Sequence, residues 1–186
     1  MKKLTAVLAF VAMASSSIAM ATNLVVNGNF SNGTFSGWSH TGDTSYDYIS
    51  SDLLNGTLVH SAALGPVGDS GTLSQVLATT VGQAYSISFE WKADGGDGSS
   101  YLRALFGNNS VFSTTSTNQG WTLATVSGVA TAPSTVLQFN YRNDPSYYQL
   151  TDISVSAVPE PESYALLGLG LTGVLLARRR RVAAAV

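Results

Sequence analysis

Apolar and polar side chains alternate through the middle of this 186-residue chain, which is the periodicity of β-strands. The clearest case is residues 85–92, where every second residue, beginning with Tyr85, is aromatic or branched. Because successive side chains of a strand point to opposite faces, this stretch predicts one buried face. Trp91 belongs to that face, and we expect both Trp91 and Trp38 in the core.

Further short strands are predicted from similar patterns, and clusters of Gly, Asn, Asp, Ser and Pro separate them. No amphipathic stretch of helical length interrupts the series. Many short strands with turns between them indicate an all-β fold, a two-sheet sandwich of the jelly-roll kind. The other predicted strands lie at 23–26, 46–49, 57–62, 72–77, 101–106, 121–126, 136–141 and 150–155.

The first 21 residues have the order of a secretory signal peptide. Lys2 and Lys3 precede an apolar stretch at 4–13, and small residues follow as far as Ala21. The apolar stretch is too short for a first transmembrane helix. We therefore predict removal of residues 1–21 by signal peptidase and export across the inner membrane.

The C-terminal stretch, residues 158–186, contains three parts in order. Pro159, Glu160 and Pro161 end the folded domain near residue 157, because proline cannot continue a hydrogen-bonded ladder. The uncharged apolar stretch at 164–177 would extend about 21 Å as a helix, short of the ~30 Å hydrocarbon core of a bilayer. The third part is a cluster of arginines expected on the cytoplasmic side, Arg178, Arg179, Arg180 and Arg181.

These three parts, over 158–181, resemble the C-terminal sorting signal of the PEP-CTERM proteins of Gram-negative bacteria. The resemblance implies processing by exosortase, a membrane-embedded protease and transpeptidase, while the helix at 164–177 holds the chain transiently in the membrane. It also implies a final location at the cell surface or in the extracellular polysaccharide matrix. The alternatives are an ordinary tail anchor, or a buried C-terminal helix followed by a disordered basic end.

Removing both ends leaves a domain at 22–157 that has nine acidic and three basic residues, a formal net charge of −6. So few cations cannot neutralise a phosphate backbone, and we expect no nucleic-acid partner. The chain contains no cysteine, which excludes disulfides, thiolate metal sites and a cysteine nucleophile.

Several stretches of this domain resemble galactose-binding-like jelly rolls, including the carbohydrate-binding modules attached to xylanases. These stretches are the opening at 23–30 and 35–38, the middle strands at 71–77 and 82–89, and the closing strand at 150–155. The resemblance implies the same jelly-roll fold. It says less about binding, because this fold carries many functions.

The same resemblance implies a structural calcium ion at positions matching Asn29 to Ser31 and Asp152. Ser31 stands where the family usually has an acidic residue, and the closing acidic pair is reduced to Thr151-Asp152. Calcium prefers several hard oxygen ligands, above all carboxylates. Because few carboxylates are present here, backbone carbonyls and Asp152 would have to supply the ligands. The residues leave open whether calcium is bound. The Gly-rich turn at 94–98 lacks the spacing of an EF-hand loop and is expected to be a flexible hairpin connection.

Carbohydrate recognition combines aromatic rings, which lie against apolar sugar faces, with amide, carboxylate or guanidinium groups that bond hydroxyls. The domain has such residues on predicted strands and near a late loop. We expect the two tyrosines that follow Asp144-Pro145 to be exposed. The candidate ligand-binding residues are Tyr46, Tyr48, Arg103, Asn140, Arg142, Tyr147 and Tyr148.

No arrangement of catalytic residues is evident, so we expect no enzymatic activity. Ser70 lies in a Gly-Asp-Ser-Gly stretch similar to the nucleophile loop of chymotrypsin-like proteases, but fewer than fifty mature residues precede it. His40 and His60 match no metal-ligand or triad spacing, and a histidine in such a loop is usually solvated. Glu90 and Lys92 share a polar strand face and are expected to pair at the surface.

Two functions fit these observations. The chain is an exported structural or interaction protein of the cell surface or matrix. Alternatively, its sandwich is a lectin-like module with a defined glycan ligand. Polysaccharide is the expected partner of either.

Overall fold

Ten antiparallel strands form two five-stranded sheets in the computed structural model, which describes residues 22–159 and Gly170. The predicted all-β sandwich is therefore confirmed. Sheet A contains, in spatial order, β1 (Ser39–Gly42), β4 (Gly71–Ala78), β9 (Ser134–Arg142), β6 (Tyr101–Phe106) and β7 (Asn109–Thr114). Sheet B contains β2 (Tyr48–Leu54), β3 (Thr57–Leu64), β10 (Tyr148–Ala157), β5 (Ala84–Asp94) and β8 (Asn118–Val129).

The core lies between the two sheets and is rich in aromatic rings. Phe89 of sheet B meets Phe139 of sheet A edge-to-face, with ring centroids 5.1 Å apart. Burial alternates along β5 as the sequence pattern predicts, and Trp91 belongs to its buried face. Trp38 is buried at one end of the sandwich against Phe30. The predicted core positions of both tryptophans are confirmed.

The segment at 22–30 differs from its prediction. It was expected to form a strand at 23–26, but it forms none, although it lies alongside β10. The Leu24 N–H donates to the Val155 carbonyl at 2.8 Å, and the Ile153 N–H donates to the Gly28 carbonyl at 3.0 Å. These two bonds attach the segment to β10 in sheet B, but they do not form a continuous ladder.

The strands β1 and β7 were not predicted, because they are short and mostly polar. Each is an edge strand of sheet A, where half-exposed polar residues are tolerated. The prediction of a strand beginning at Tyr46 is wrong by two residues, since Tyr46 lies in a turn and β2 begins at Tyr48.

Strands β2 and β3 form a hairpin around Asn55 and Gly56, whose φ values of 51° and 81° fit the tight turns of such hairpins. Only Ala62 to Leu64 of β3 pair with β10. Residues 50–61 of the hairpin form no backbone ladder with β10, although the side chains of Thr151 and Gln149 still bond to His60 and Ser61, and we call this stretch the hairpin arm. The divergence coincides with a bulge in β10 between Thr151 and Ser154.

The chain leaves the domain at the end of β10. The Val158 N–H donates to the Ala84 carbonyl at 2.9 Å, and the Gln83 side chain donates to the Val158 carbonyl at 2.7 Å. In the described part of the chain, no helix is long and apolar enough to cross a bilayer. The predicted signal peptide at 1–21, Glu160, Pro161, the predicted helix at 164–177 apart from Gly170, and Arg178 to Arg181 lie outside the described residues.

Candidate ligand-binding faces

The structure divides the predicted ligand-binding residues between the two outward faces of the sandwich. Tyr48 and Tyr147 lie together at the outward side of sheet B, as their ring contact shows. Tyr46 is exposed in the preceding turn. The polar members Arg103, Asn140 and Arg142 lie on the outward side of sheet A.

The prediction that Tyr148 is exposed is wrong. Its side chain is 0% exposed, and its ring centroid lies 6.4 Å from that of Trp91. Tyr148 is the first residue of β10, so it points inward while Tyr147 before it points outward. The hydroxyl donates to the Ser116 carbonyl at 2.8 Å, and burial raises the pKa of Tyr148 to about 12.

The outward face of sheet B is covered in part by the hairpin arm. Strands β3 and β10 separate β2 from β5, so in a flat sheet β2 and β5 would lie about 14 Å apart. Nevertheless Asp52 of the arm forms an ion pair with Lys92 of β5. The arm must therefore bend over the face. We call the surface next to the arm the sheet B groove, and its residues are Tyr48, Asp52, Lys92, Asp94, Trp121, Tyr147 and Gln149.

Lys92 is the electrostatic centre of the groove. Its ammonium contacts Asp52, lies 2.9 Å from Asp94 Oδ1 and lies 5.4 Å from the Trp121 ring centroid. Its hydrogen bond holds the pKa of Asp52 below the usual value. Burial alone would lower the pKa of Lys92, but the two carboxylates outweigh burial and raise it. Asp52 is therefore ionised at neutral pH.

The expected pair between Glu90 and Lys92 does not form, because Lys92 turns to Asp52 and Asp94. Glu90 instead has a raised pKa, caused first by burial and then by the negative charge of Asp152.

One end of the groove carries two tyrosine rings. Tyr48 and Tyr147 meet edge-to-face with centroids 5.4 Å apart, and Tyr48 is 48% exposed. Tyr147 lies directly on Gly65, where a Cβ atom would stand 2.5 Å from the ring. Next to the rings, Gln149 accepts a hydrogen bond from Ser61 at 2.7 Å and donates one to Asp94. Apolar rings and fixed polar groups thus lie side by side at this end of the sheet B groove.

A buried cluster behind this end was missed by the sequence analysis. Asp47, whose side chain is 0% exposed, accepts hydrogen bonds from the Tyr141 hydroxyl at 2.5 Å and from the Gly65 N–H at 2.7 Å. His40 Nε2 lies 2.7 Å from the same carboxylate, so the expectation of a solvated His40 is wrong. Burial, followed by the charge of Asp47, raises the pKa of Tyr141. The cluster fixes the backbone around Tyr48 and Gly65.

Arg103 and Asn140 stand directly opposite each other on the outward face of sheet A, and Arg142 stands opposite Tyr101. The Arg103 guanidinium lies 5.1 Å from the centroid of the Tyr101 ring. The Tyr101 hydroxyl donates to Ser70 Oγ at 2.8 Å, which gives Ser70 a structural partner. Tyr101 was not predicted as a site residue, although it shares the strand alternation of Arg103.

The calcium prediction centres on Asp152, which lies in the β10 bulge with a φ of 49°. It borders a shallow cavity of about 380 Å³ together with Asn23 and Asn29. The Oδ1 atoms of those two asparagines already accept backbone N–H groups, and Asp152 is the cavity's acidic residue. This donor set does not fit a calcium site built from several carboxylates.

Among the described residues, no group of three acidic or histidine side chains is placed to hold a metal ion. Calcium binding at Asp152 remains a prediction.

The chain matches the family model of the PEP-CTERM protein-sorting motif at residues 157–181. The motif therefore begins at the last residue of β10. No curated protein matches the chain.

The fold is that of carbohydrate-binding modules. The module TmCBM61, solved in complex with beta-1,4-galactotriose, is 15% identical, with a TM-score of 0.59 over 74% of this chain and 99% of that one. The CBM22-1 xylan-binding domain from Paenibacillus barcinonensis Xyn10C is also 15% identical, with a TM-score of 0.50 over 76% and 95%. The cyclase Fisc from Fischerella sp. TAU is 12% identical, with a TM-score of 0.58 over 76% and 100%. One fold thus serves both binding modules and a cyclase.

Proposed function

We propose that this protein is exported, is processed by exosortase through its C-terminal motif, and is retained at the cell surface or in the extracellular matrix. There its sandwich binds polysaccharide through the sheet B groove. The observation that carries the proposal is the hairpin arm, which Asp52 and Lys92 hold over an outward sheet face that ends in two tyrosine rings.

The composition of the groove supports sugar binding. The Tyr48 and Tyr147 rings offer flat apolar surfaces for the carbon face of a pyranose. The partly exposed carboxylates of Asp52 and Asp94 offer acceptors for sugar hydroxyls. The Tyr147 ring packs on Gly65, whose N–H is bonded to Asp47, so this ring has little side-chain entropy left to lose on binding.

We propose binding rather than catalysis because the carboxyl groups of the groove are paired with Lys92. Glycoside hydrolysis needs one protonated and one ionised carboxyl group. Asp52 and Asp94 both pair with Lys92, and the pKa of Asp52 is lowered rather than raised. Asp52 is therefore not suited to donate a proton at neutral pH.

Retention on a panel of insoluble polysaccharides tests the binding proposal. Tyr48→Ala and Tyr147→Ala should each weaken retention on the preferred polysaccharide by about 1 to 2 kcal/mol, roughly 5- to 30-fold. Tyr46→Ala is the matched control, since Tyr46 is an exposed tyrosine in the turn before β2. Retention on none of the polysaccharides, or equal loss in all three variants, would leave only a structural role in the matrix.

The sorting proposal has its own test, the intact mass of the protein from an exosortase-containing strain and from a strain lacking exosortase. We expect the secreted form to have lost both termini and the deletion strain to keep the tail in its inner membrane. Recovery of secreted protein that still carries Arg178 to Arg181 would contradict exosortase processing. This result does not depend on whether the sandwich binds sugar.

A further inference from the structure

The basic residues of the domain are unevenly placed. Residues 22–157 contain three, and Lys92 is neutralised by its two aspartates in the sheet B groove. Arg103 and Arg142 lie on the outward face of sheet A and form no ion pair within 4.0 Å among the described residues. Two unpaired cations therefore share one face of a domain whose net charge is −6.

The strand register places these cations close together. Arg103 is opposite Asn140, and Arg142 lies two residues further along the same strand, opposite Tyr101. Side chains opposite each other across two strands are separated by about 5 Å, and diagonal neighbours by about 7 to 8 Å. We call the group Tyr101, Arg103, Asn140 and Arg142 the sheet A patch.

The amide of Asn140 presents its donor side to ligands. Its Oδ1 accepts hydrogen bonds from Thr72 Oγ1 at 3.1 Å and from Gln138 Nε2 at 2.6 Å. The oxygen is therefore engaged towards its neighbours on β4 and β9, which directs the NH₂ group away from them. Arg103 and Arg142 carry only donors, so the three polar groups of the patch offer N–H groups and no free acceptor.

Tyr101 holds the exposed Arg103 in place. The guanidinium stacks over the ring at 5.1 Å, and the ring is fixed through its hydroxyl to Ser70. Arg142 has its Nε buried with no hydrogen-bond partner among the described residues. The Asp97 carboxylate, which is near Arg142 in charge but not paired with it, accepts its hydrogen bonds from Ser99 and Ser100 in its own turn.

We propose that the sheet A patch binds the carboxylate of an acidic polysaccharide, such as a uronate residue. A carboxylate is a pure acceptor, and two guanidinium forks with an amide NH₂ match its oxygens in geometry and charge. This site lies on the opposite side of the sandwich from the sheet B groove. The protein can then contact a neutral and an acidic glycan segment at the same time.

The test measures retention of the purified full-length protein, kept in mild detergent, on immobilised polygalacturonate and on its methyl ester. We expect at least ten-fold stronger retention on the free acid, falling as salt rises from 0.05 to 0.5 M, because exposed charges are screened. The paired substitution Arg103→Gln and Arg142→Gln should abolish that preference. Arg178 to Arg181 are present in both proteins, so the difference between them reports the patch alone.

Three further variants sharpen the outcome. Arg103→Gln alone alters an exposed side chain, so it should keep the unfolding temperature and still lose several-fold in retention. Arg103→Lys keeps the charge without the planar fork and should recover only part of the loss. Tyr46→Ala, in an exposed turn outside both the sheet A patch and the sheet B groove, should leave polygalacturonate retention unchanged.

Three results would overturn the proposal. One is equal retention on polygalacturonate and on its methyl ester. Equal retention on polygalacturonate and on dextran sulfate would also overturn it, since that result would show attraction to charge alone. The third is unchanged retention after both arginines are replaced.

Discussion

The side-chain amide of Gln75 bonds both backbone groups of Val26, accepting from its N–H at 2.8 Å and donating to its carbonyl at 2.9 Å. A neighbouring strand would make the same two bonds. Gln75 is buried within β4, and its amide also donates to the Gly37 carbonyl at 2.9 Å. One side chain thus attaches the segment at 22–38 to sheet A.

Replacing Gln75 by Leu should lower the free energy of unfolding by about 2 to 3 kcal/mol, because partly buried backbone groups of Val26 and Gly37 lose their partner. Denaturant unfolding measures the change. Ser74→Ala, on the outward side of the same strand, is the control and should stay within about 0.5 kcal/mol. A Gln75→Leu protein as stable as its parent would show that the segment is held by other contacts.

Replacing Gly65 by Ala should displace the Tyr147 ring, because the new Cβ would stand 2.5 Å from it. We expect a loss of stability of about 1 to 3 kcal/mol together with weaker glycan retention. Gly98→Ala is the matched control, since nothing lies within 4 Å of a Cβ there. If Gly65→Ala binds glycan normally, the ring position does not matter for binding.

Acid should open the hairpin arm. The pKa of Asp52 is lowered by Lys92, so the stabilising ion pair is present above the ordinary aspartate pKa and is lost as pH falls through the lowered value. In the Asp52→Asn protein, the amide hydrogens of residues 50–61 should therefore be less protected from exchange at pH 7 than in the parent. Their protection should change little further on acidification. Asp69→Asn, in a surface turn, should behave like the parent. Hydrogen exchange read by mass spectrometry separates these cases.

Alkaline pH should destabilise the core through Tyr148. Burial raises the pKa of Tyr148 to about 12. The stability that its neutral hydroxyl contributes to the folded state is therefore complete below about pH 10 and is lost as pH rises through 12. The difference in unfolding free energy between the parent and Tyr148→Phe should shrink by roughly 2 to 3 kcal/mol across that range. Taking this difference removes the effect of Lys92, which both proteins share. If the difference in unfolding free energy between the two proteins stays constant with pH, Tyr148 is not the cause of the alkaline destabilisation.

Alternation in the sequence was sufficient to predict the sandwich and the burial of Trp91, because burial on a strand follows a period of two. Trp38 lies on no strand, and its burial was expected from the usual burial of aromatic residues. Alternation failed at 23–26, where a glutamine side chain from another strand supplies the hydrogen bonds of a ladder. No local pattern reveals such a long-range partner.

The candidate site was predictable only in part. Whether Tyr147 or Tyr148 faces outward depends on the residue at which β10 begins, and strand ends are the least certain part of a sequence prediction. Arg103 and Asn140 were both candidates, but only the register makes them neighbours. The sheet B groove rests on the bend of the hairpin arm, which requires knowing that Asp52 reaches Lys92.

The exit of the chain through β10 determines how the domain responds to mechanical load. β10 is bonded to β5 along both halves, to β3 at residues 148–150 and to the segment at 22–30 through Ile153 and Val155, and the sorting motif begins at its last residue. Tension on the C-terminal segment therefore runs along the strand, across ladder bonds that are perpendicular to it. Those bonds must yield in shear and together, whereas an edge strand pulled sideways would unzip one bond at a time. In the location proposed above, a protein tethered through this segment would resist the drag of a moving fluid better than its thermodynamic stability alone suggests.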